Sequence, residues 1–258
     1  MWHQERRSRI AEALRTGARA STAKLARDLG VSRETVRRDL LAMEADGLLQ
    51  RVHGGAVGSD APSQEAPFER RKRERWREKL EIGRVASSLI QPGMVVFIDA
   101  GTTTLAFAET LAGIDHVEVV TNSLDIAQRL GQRAVLLSGR VSTDVPASFG
   151  ELTVSGIDRF LADFAFISPV GVHSINGVMN YALNEAEVAR AMLRRADRLV
   201  VLADSSKLGR TSRVKVCDLA EIDFLVATSR HRAPNGHASE AVLYTAQTLS
   251  TALSADPR

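Results

Sequence analysis

The sequence predicts an α/β protein, with an N-terminal winged helix-turn-helix followed by a C-terminal α/β domain that has a largely parallel sheet. Three observations predict this fold class. From residue 79 onward, continuous apolar segments alternate with helical patterns. Before that point, two short helical patterns are joined by a Gly-Val turn. Charge is also divided unevenly, since residues 1–80 hold 18 Lys/Arg against 12 Asp/Glu and the rest of the chain holds 16 against 19.

The 258 residues suffice for two domains. We assign residues 1–57 to the winged helix-turn-helix, 58–78 to a linker and 79–258 to the C-terminal domain. Residues 58–67, GSDAPSQEAP, are small, polar and Pro-containing, as linkers are. The charged run 68–79 is typical of a solvated helix, with direct DNA contact as the less favoured alternative. Because the first third is net positive, we expect it to face a polyanion.

Composition argues against several kinds of site. Cys217 is the single cysteine, so neither an intramolecular disulfide nor a Cys-rich metal site is expected. The six histidines show no metal-ligand spacing, and we predict no metal and no cofactor. Because no apolar run reaches 18 residues and the start is charged, we expect a cytoplasmic protein that does not enter a membrane.

Three helices are predicted within the first 45 residues. A tight turn, Gly30-Val31, separates the second helix from the third, RETVRRDLLAM, which Ser32 can cap. Val36, Leu40 and Met43 form one apolar stripe of this third helix, and basic residues lie roughly opposite. The sequence LLQRVHGGAV then predicts a short hairpin, which completes a winged helix-turn-helix.

This arrangement favours DNA binding, because arginines on the first turns of a recognition helix can reach base edges while other cations and hydroxyls hold phosphates. A basic face alone is also typical of a solvated helix, and a histidine on the wing is typical of an exposed turn. The order of helix, turn, capped basic helix and basic wing favours the functional interpretation. The expected DNA-contacting residues are Ser32, Arg33, Thr35, Arg37, Arg38, Arg51 and His53.

Apolar segments of the C-terminal part predict the strands of a parallel sheet covered on both faces. These strand segments are MVVFIDA, VEVVTNS, AVLLSG, FAFISPV, RLVVLADSS and DFLVATS. The segments TLAFAETLAG, LDIAQRLG and EAEVARAMLRRA predict helices between them. We expect a further helix at residues 240–253, EAVLYTAQTLSTAL, which could close the domain or join subunits.

Small polar clusters follow five of these strands. They are residues 99–104, 121–123, 138–140, 168–171 and 204–207. The carboxyl ends of strands in an open α/β sheet lie along one edge, where ligands bind. We therefore expect the five clusters to converge in one polar pocket that favours anions.

The chemistry of these clusters indicates a sugar phosphate. Gly101 lets the backbone approach a ligand, and the threonines after it begin a helix whose N–H groups favour an anion. Arg140 and Lys207 could supply positive charge, while Asp99 and Asp204 could accept hydrogen bonds from hydroxyls. Each cluster alone is weak evidence, because threonine also caps helices that bind no ligand. The expected effector-binding residues are Asp99, Gly101, Thr102, Thr103, Thr104, Asn122, Ser123, Gly139, Arg140, Gly171, Asp204 and Lys207.

Five segments together resemble the DeoR-type family of bacterial transcriptional regulators of sugar metabolism. They are VSRETVRRDLLAMEADGLLQRVHGGAV, DAGTTT, TNSLDIA, SGR and ADSSKLG, in the family's order and spanning nearly the whole chain. The resemblance implies a repressor that binds double-stranded operator DNA. It also implies a C-terminal domain similar to the sugar-phosphate isomerase and CoA-transferase folds, a phosphorylated sugar as effector, and assembly into a homo-oligomer, a dimer or tetramer.

Four positions depart from the family pattern. Ser138 stands where glycine is common, and Ser168 and Pro169 stand where small residues or glycine are usual. Pro169 removes a backbone N–H from a loop expected to face the ligand. Ala189 replaces a usual lysine. Ser138 is a small change. Pro169 and Ala189 bear on the effector response, which they could alter or abolish, while DNA binding is unaffected.

We expect a sequence-specific transcriptional regulator, a repressor of a carbohydrate-catabolism operon that a phosphorylated sugar releases from its operator. We do not expect an enzyme, because no catalytic pair is fixed by spacing. Two alternatives remain open. One is a sugar-phosphate isomerase-like enzyme with a DNA-binding arm, in which Asp99, Asp204 or Glu185 could act as general base. The other is a constitutive DNA binder with a non-functional pocket.

Overall fold

The computed structural model describes residues 3–14, 19–45, 49–52, 54–58, 65–228, 241–245 and 248. The chain divides into two compact units, Met1–Gln64 and Glu65–Arg258. This division differs from the predicted linker over residues 58–78, because residues 65–78 belong to the second unit. The charged run contributes Phe68, whose side chain is buried in the core of that unit.

The first unit combines three helices with a three-stranded antiparallel sheet. Its elements are α1 (His3–Ala13), β1 (Arg19–Ser21), α2 (Thr22–Leu29), α3 (Arg33–Ala45), β2 (Leu49–Val52) and β3 (Gly55–Gly58). The sheet order is β1-β3-β2, so the predicted hairpin is confirmed and gains a third strand. Ser21 Oγ accepts a hydrogen bond from Lys24 N (3.1 Å) at the start of α2. Gly30 ends α2 with φ of 65°, a left-handed conformation that favours glycine.

Apolar side chains from all three helices form the core of this unit. The predicted stripe on α3 is confirmed, since Val36, Leu40 and Met43 are each at most 1% exposed. An ion pair adds to this packing, because the Arg6 guanidinium of α1 hydrogen bonds the buried carboxylate of Asp39 on α3. The core and this ion pair together fix how α3 is held within the unit.

The second unit is built on a seven-stranded sheet of order β15-β14-β12-β9-β4-β5-β6, in which only β15 is antiparallel among the described strands. Its strands are β4 (Val95–Ile98), β5 (Glu118–Thr121), β6 (Ala134–Leu136), β9 (Ala162–Ile167), β12 (Ala196–Ala203), β14 (Phe224–Thr228) and β15 (Ala241–Thr245). The six predicted strands and the parallel sheet are therefore confirmed.

Helices connect these strands. They are α4 (Phe68–Arg73), α5 (Trp76–Ser87), α6 (Thr102–Thr110), α7 (Leu124–Leu130), α8 (Glu151–Ile157) and α9 (Leu183–Arg194), with short 3-10 turns at Leu111–Gly113, Gly131–Arg133 and Leu219–Glu221. After β4 the chain moves along the sheet towards β6, and after β9 it moves the opposite way, towards β14. Right-handed crossovers therefore place α6 and α9 on opposite faces of the sheet.

Two small sheets lie beside the main one. They comprise β7 (Arg140–Val141) with β8 (Ser148–Phe149), and β10 (Gly171–His173), β11 (Gly177–Asn180) and β13 (Val214–Cys217) in the order β10-β11-β13. These strands, which are two to four residues long, were not predicted from the sequence. Strands this short carry too few residues for an alternating pattern to be distinguished from a loop.

The predicted helix at residues 240–253 is wrong for residues 241–245, which form strand β15. Tyr244 pairs with Leu225 and Val242 with Ala227 in an antiparallel register. β15 pairs with the otherwise open edge of β14, so tertiary pairing outweighs local helix propensity here. The remainder of that predicted helix lies outside the described residues, apart from Thr248.

Candidate functional site

The start of α3 is a polar turn on the first unit. Ser32 Oγ accepts a hydrogen bond from Thr35 N (3.0 Å) and lies 2.8 Å from Thr35 Oγ1. The two hydroxyls predicted to contact DNA therefore cap the start of α3. The N–H groups at a helix start also favour a phosphate, so this capped turn can still bind a phosphate of the DNA backbone.

Three predicted arginines, Arg33, Arg37 and Arg38, are exposed on α3. Glu34 lies within 3.2 Å of Arg37 Nε and 3.6 Å of Arg38 Nε. Exposed pairs of this kind contribute at most about 1 kcal/mol, so a DNA phosphate or base edge can replace Glu34 at little cost. The face remains net positive and accessible.

The wing carries one of its two predicted contacts among the described residues. Arg51 lies on β2, and its backbone N–H donates to Glu44 Oε1 of α3 at 2.8 Å. Its guanidinium is also 3.6 Å from Glu44 Oε2, which links the wing strand to the end of α3. His53 lies outside the described residues.

A polar cleft of about 370 Å³, its open mouth included, lies in the second unit where β5, β4 and β9 end. Sheet order reverses between β4 and β9, and such a switch point is where α/β sheets bind ligands. Asp99 and Ala100 follow β4, Asn122 follows β5, and Ser168 follows β9. The full lining is Glu65, Arg71, Asp99, Ala100, Asn122, Phe149, Ser168, Val170, Asn180, Glu185 and Val188.

Asp99 is a buried carboxyl at the base of the cleft. Its two oxygens accept hydrogen bonds from Ser168 N at 3.1 and 3.2 Å, which hold the loop after β9. Burial raises the pKa of Asp99 to about 7, against the lowering effect of the Ser168 hydrogen bond. Near neutral pH this group can therefore either accept or donate a hydrogen bond.

Helix α6 begins beside Asp99 with three buried threonines, Thr102, Thr103 and Thr104. Thr104 Oγ1 donates to Gly101 O at 3.0 Å, so this hydroxyl serves the helix start. A Cβ on Gly101 would lie 3.0 Å from Thr104 Oγ1 and 3.2 Å from Ser168 Cβ, so the tight packing favours glycine. The N–H groups of this first turn have no partner within the helix, and such groups favour an anion.

Asn122 lines the cleft and carries an unsatisfied acceptor. Its Nδ2 donates to Ser148 O at 3.0 Å, which fixes the orientation of the amide. Its Oδ1 has no hydrogen-bond partner among the described residues, although the residue is 1% exposed. A buried acceptor without a partner costs about 1–3 kcal/mol, so a ligand that donates a hydrogen bond here gains affinity.

A group of cations lies at the side of the cleft formed by α4. Glu65 Oε1 is 2.8 Å from Lys207 Nζ, and Glu65 Oε2 is 3.1 Å from Arg71 NH1. Each of these three side chains is at most 15% exposed. Burial opposes ionisation of Glu65, but Lys207 and Arg71 outweigh it and hold the pKa of Glu65 below its ordinary value.

Two further carboxyls surround this group. Burial raises the pKa of Glu185, at the start of α9, to about 7, and nearby Glu65 adds to the rise. Asp204 follows β12 and is 2% exposed. Burial opposes its ionisation, but Lys207 and two hydrogen bonds from Ser206 outweigh it and lower the pKa of Asp204. The cleft therefore combines fixed charges with two carboxyls that titrate near neutral pH.

Comparisons with known proteins identify the family. Residues 6–61 match the DeoR-like helix-turn-helix domain and residues 74–229 match the DeoR C terminal sensor domain. The chain belongs to the DeoR family. It is 34% identical over 239 residues, 91% of each chain, to a Bacillus subtilis protein named HTH-type transcriptional repressor GlcR. It is 30% identical over 227 residues, 86% of this chain and 90% of the relative, to the Glycerol-3-phosphate regulon repressor of Escherichia coli.

Solved structures give a weaker comparison for this DeoR-family chain. Ribose 5-phosphate isomerase A from Methanocaldococcus jannaschii matches 51% of this chain and 54% of its own length. The identity is 20% and the TM-score is 0.39, which carries no argument about activity.

Three of the five predicted polar clusters meet in the cleft of this DeoR-family chain, those after β4, β5 and β9. The cluster after β12 reaches it indirectly, through the contact between Lys207 and Glu65. The cluster after β6 does not line it: Arg140 is exposed on β7, and Gly139 packs against Phe149. β6 lies at the sheet edge, two strands from β4, which explains the separation.

Two other predicted effector contacts serve the protein itself. Ser123 Oγ accepts from Ile126 N at 3.3 Å and caps α7. Gly171 packs against the backbone of Arg210, where an added Cβ would lie 2.2 Å from the carbonyl oxygen. Neither belongs to the lining of the cleft, and of the predicted cluster after β4 only Asp99 and Ala100 do, since Gly101, Thr102, Thr103 and Thr104 lie outside the lining.

The positions that depart from the family pattern have distinct surroundings. Ser168 N is engaged by Asp99, and Val170 N donates to Asn180 Oδ1 at 3.2 Å. Because Pro169 has no N–H, the stretch from 168 to 170 has all its backbone donors committed within the protein. Ala189 is 1% exposed on α9, one turn after Glu185.

Several lining residues were not predicted as ligand contacts. Glu65 and Arg71 fell within the predicted linker, while Asn180 lies at the end of β11, an unpredicted strand. Glu185 was considered only as a general base for the enzyme alternative. A usable signal was present for Arg71, because Phe68 three residues earlier marks a helix with a buried side.

Two searches of the described part of the chain bear on other kinds of site. No group of His, Cys, Asp and Glu there could hold a metal ion. No helix there is long and apolar enough to cross a membrane.

Proposed function

We propose that this chain represses a carbohydrate-catabolism operon by binding operator DNA through α3 and the wing, and that a phosphorylated sugar bound in the cleft releases it. The family of the chain supports the regulatory role. The contacts with DNA and with the sugar are inferred from the site. Such a protein acts in the cytoplasm, where the chromosome lies.

The DNA half of the proposal rests on the exposed basic face of α3. Arg33, Arg37 and Arg38 are accessible, and only surface pairs with Glu34 must be exchanged. Arg51 adds a cation on the wing. Helix-turn-helix proteins usually read two half-sites as dimers, so we also propose a homodimer or tetramer.

The single observation that carries the effector half is the unsatisfied, buried Oδ1 of Asn122, a residue that lines the cleft. A buried acceptor calls for a donor, and sugar hydroxyls are donors. Asp99 and Asn180 place further polar oxygens in the same lining, while Arg71, which also lines the cleft, suits a phosphate. A ligand with both hydroxyls and a phosphate matches all of these groups.

Release follows if the ligand binds the state that does not bind DNA more tightly than the state that does. A ligand with equal affinity for both states would shift nothing, however tightly it binds. The proposal therefore requires differential affinity between two conformations or assembly states.

The DNA half is tested by fluorescence anisotropy with labelled DNA from upstream of the gene, in competition with random duplex. We expect the upstream DNA to bind at least about 1,000-fold more tightly, as specific regulators do. Arg38→Ala should weaken binding, whereas Arg159→Ala, which removes an exposed arginine of the second unit, should not. Equal affinity for both duplexes would contradict sequence-specific regulation.

A second candidate function, a sugar-phosphate isomerase, is favoured by one observation. The pKa values of Asp99 and Glu185 are raised to about 7, which suits general acid-base catalysis. Both oxygens of Asp99 are already engaged by Ser168 N, however, which makes Asp99 first a support for the loop. Turnover of ribose 5-phosphate that Asp99→Ala abolishes would establish the enzyme; ligand binding without turnover would eliminate it.

A further inference from the structure

Four cations lie together at the side of the cleft where Arg71 of α4 lies. Arg71 and Lys207 contact Glu65 directly, and Arg210 acts on it electrostatically. Lys79 is buried nearby, and its Nζ donates to Glu74 O at 2.8 Å. Three carboxylates, Glu65, Asp204 and Glu74, act electrostatically on these cations.

Burial lowers the pKa of Lys79 to about 8, and the neighbouring charges act on it in both directions. Burial also lowers the pKa of Arg210. Asp99 and Glu185 have pKa values of about 7 and are only partly ionised at neutral pH. An anion that reaches Arg71 and Lys207 would meet the same two cations that Glu65 contacts.

Glu65 occupies the place that such an anion would take. Its two oxygens are divided between two buried cations, as phosphate oxygens would be. It is also one of the residues that line the cleft. The loop from 168 to 170, which also lines the cleft, has its N–H groups committed to Asp99 and Asn180, so it offers the phosphate no backbone donor.

We propose that Arg71 and Lys207 form an anion subsite that the Glu65 carboxylate fills in the ligand-free protein, and that the phosphate of the effector binds by displacing Glu65. The identity of the ligand in this proposal rests on the proposed function, whereas the existence of the anion subsite does not depend on it. Glu65 is the first residue of the second unit, directly after Gln64, the last residue of the first unit. Displacement of its side chain therefore acts at the point where the chain leaves the sensor unit.

Titration of the full-length chain with inorganic phosphate, by isothermal calorimetry, tests the subsite without any sugar. Glu65→Gln removes the competing charge and keeps the size, and we expect it to bind phosphate about tenfold more tightly than the wild type. Tenfold corresponds to 1.4 kcal/mol, close to one charge-assisted hydrogen bond. Glu69→Gln, which changes an exposed glutamate on α4, is the matched control and should leave the affinity unchanged.

A folded Glu65→Gln variant that binds phosphate no more tightly than the wild type would overturn the proposal. If this variant does not fold, Arg71→Met decides, since loss of the cation should weaken phosphate binding at least about tenfold; unchanged binding would overturn the subsite. A different pair of results would show that the proposed function fails while the subsite stands. In that case Glu65→Gln binds phosphate more tightly than the wild type, but no sugar phosphate releases the protein from operator DNA. Release by a sugar phosphate without the Glu65 effect would leave the function and remove the subsite.

Discussion

Replacement of Asp99 by Asn should change how the stability of the second unit depends on pH. The wild-type carboxyl is 7% exposed and its pKa rises from 3.8 to about 7, mainly because it is buried. At 1.36 kcal/mol for each pH unit, the rise corresponds to about 4 kcal/mol. The folded protein holds this proton more tightly than the unfolded chain does, so the group destabilises the fold as pH rises from about 4 to above 7.

The quantity to compare is the unfolding free energy of Asp99→Asn minus that of the wild type, measured at two pH values. Asn has no such titration, so the unfolding free energy of Asp99→Asn relative to the wild type should increase by about 3 kcal/mol between pH 5 and pH 8. The remaining part of the effect already acts at pH 5. A constant loss from the altered hydrogen bond to Ser168 would shift both values equally and cancel.

Urea unfolding followed by the fluorescence of Trp76, which packs against the core of the second unit, measures this quantity at each pH. Asp158→Asn, an exposed aspartate at the end of α8, is the control and should give a difference that does not vary with pH. A relative stability of Asp99→Asn that stays level or falls from pH 5 to pH 8 would refute the reasoning from burial.

Three further predictions concern DNA. Arg37→Ala should lower operator affinity by about 1–3 kcal/mol and blur sequence preference if Arg37 reads a base, whereas an equal loss on random duplex would assign it to phosphate. Operator affinity of the wild type should fall steeply as salt rises, because phosphate contacts release counterions, and a salt-independent affinity would argue against this binding mode. Glu65→Gln should weaken operator binding in the absence of ligand, because it imitates the state in which Glu65 is displaced. The control Glu69→Gln should leave operator binding unchanged. Equal operator affinities for the two variants would show that the subsite does not control DNA binding.

Local patterns in the sequence were sufficient to predict the helices and the hairpin of the first unit, but not strand β1, which pairs with β3. Capping at Ser32, the left-handed turn at Gly30 and the stripe through Val36 and Leu40 depend on neighbours within a few residues. The strands of the main sheet were predicted for a similar reason, since each is a continuous apolar segment. The strand β15 was missed because its structure depends on pairing with β14, which no local pattern encodes.

The candidate site could be predicted only in part. Asp99 and Asn122 follow apolar strands, so their position at one sheet edge was foreseeable. Strand order was not, and it decides that Arg140 lies away from the cleft. Glu65 and Arg71 were missed because a polar, charged stretch before the first strand of a domain looks like a linker, whereas here it packs into the site.

The central claim is that the cleft senses a phosphorylated sugar and thereby controls DNA binding. Fluorescence anisotropy of the full-length protein on labelled DNA from upstream of its own gene, at one fixed salt concentration, tests it when titrated with a panel of sugar phosphates. We expect one compound of the panel to lower the operator affinity and the matching unphosphorylated sugar to leave it unchanged. Tight operator binding that no member of the panel disturbs would contradict it.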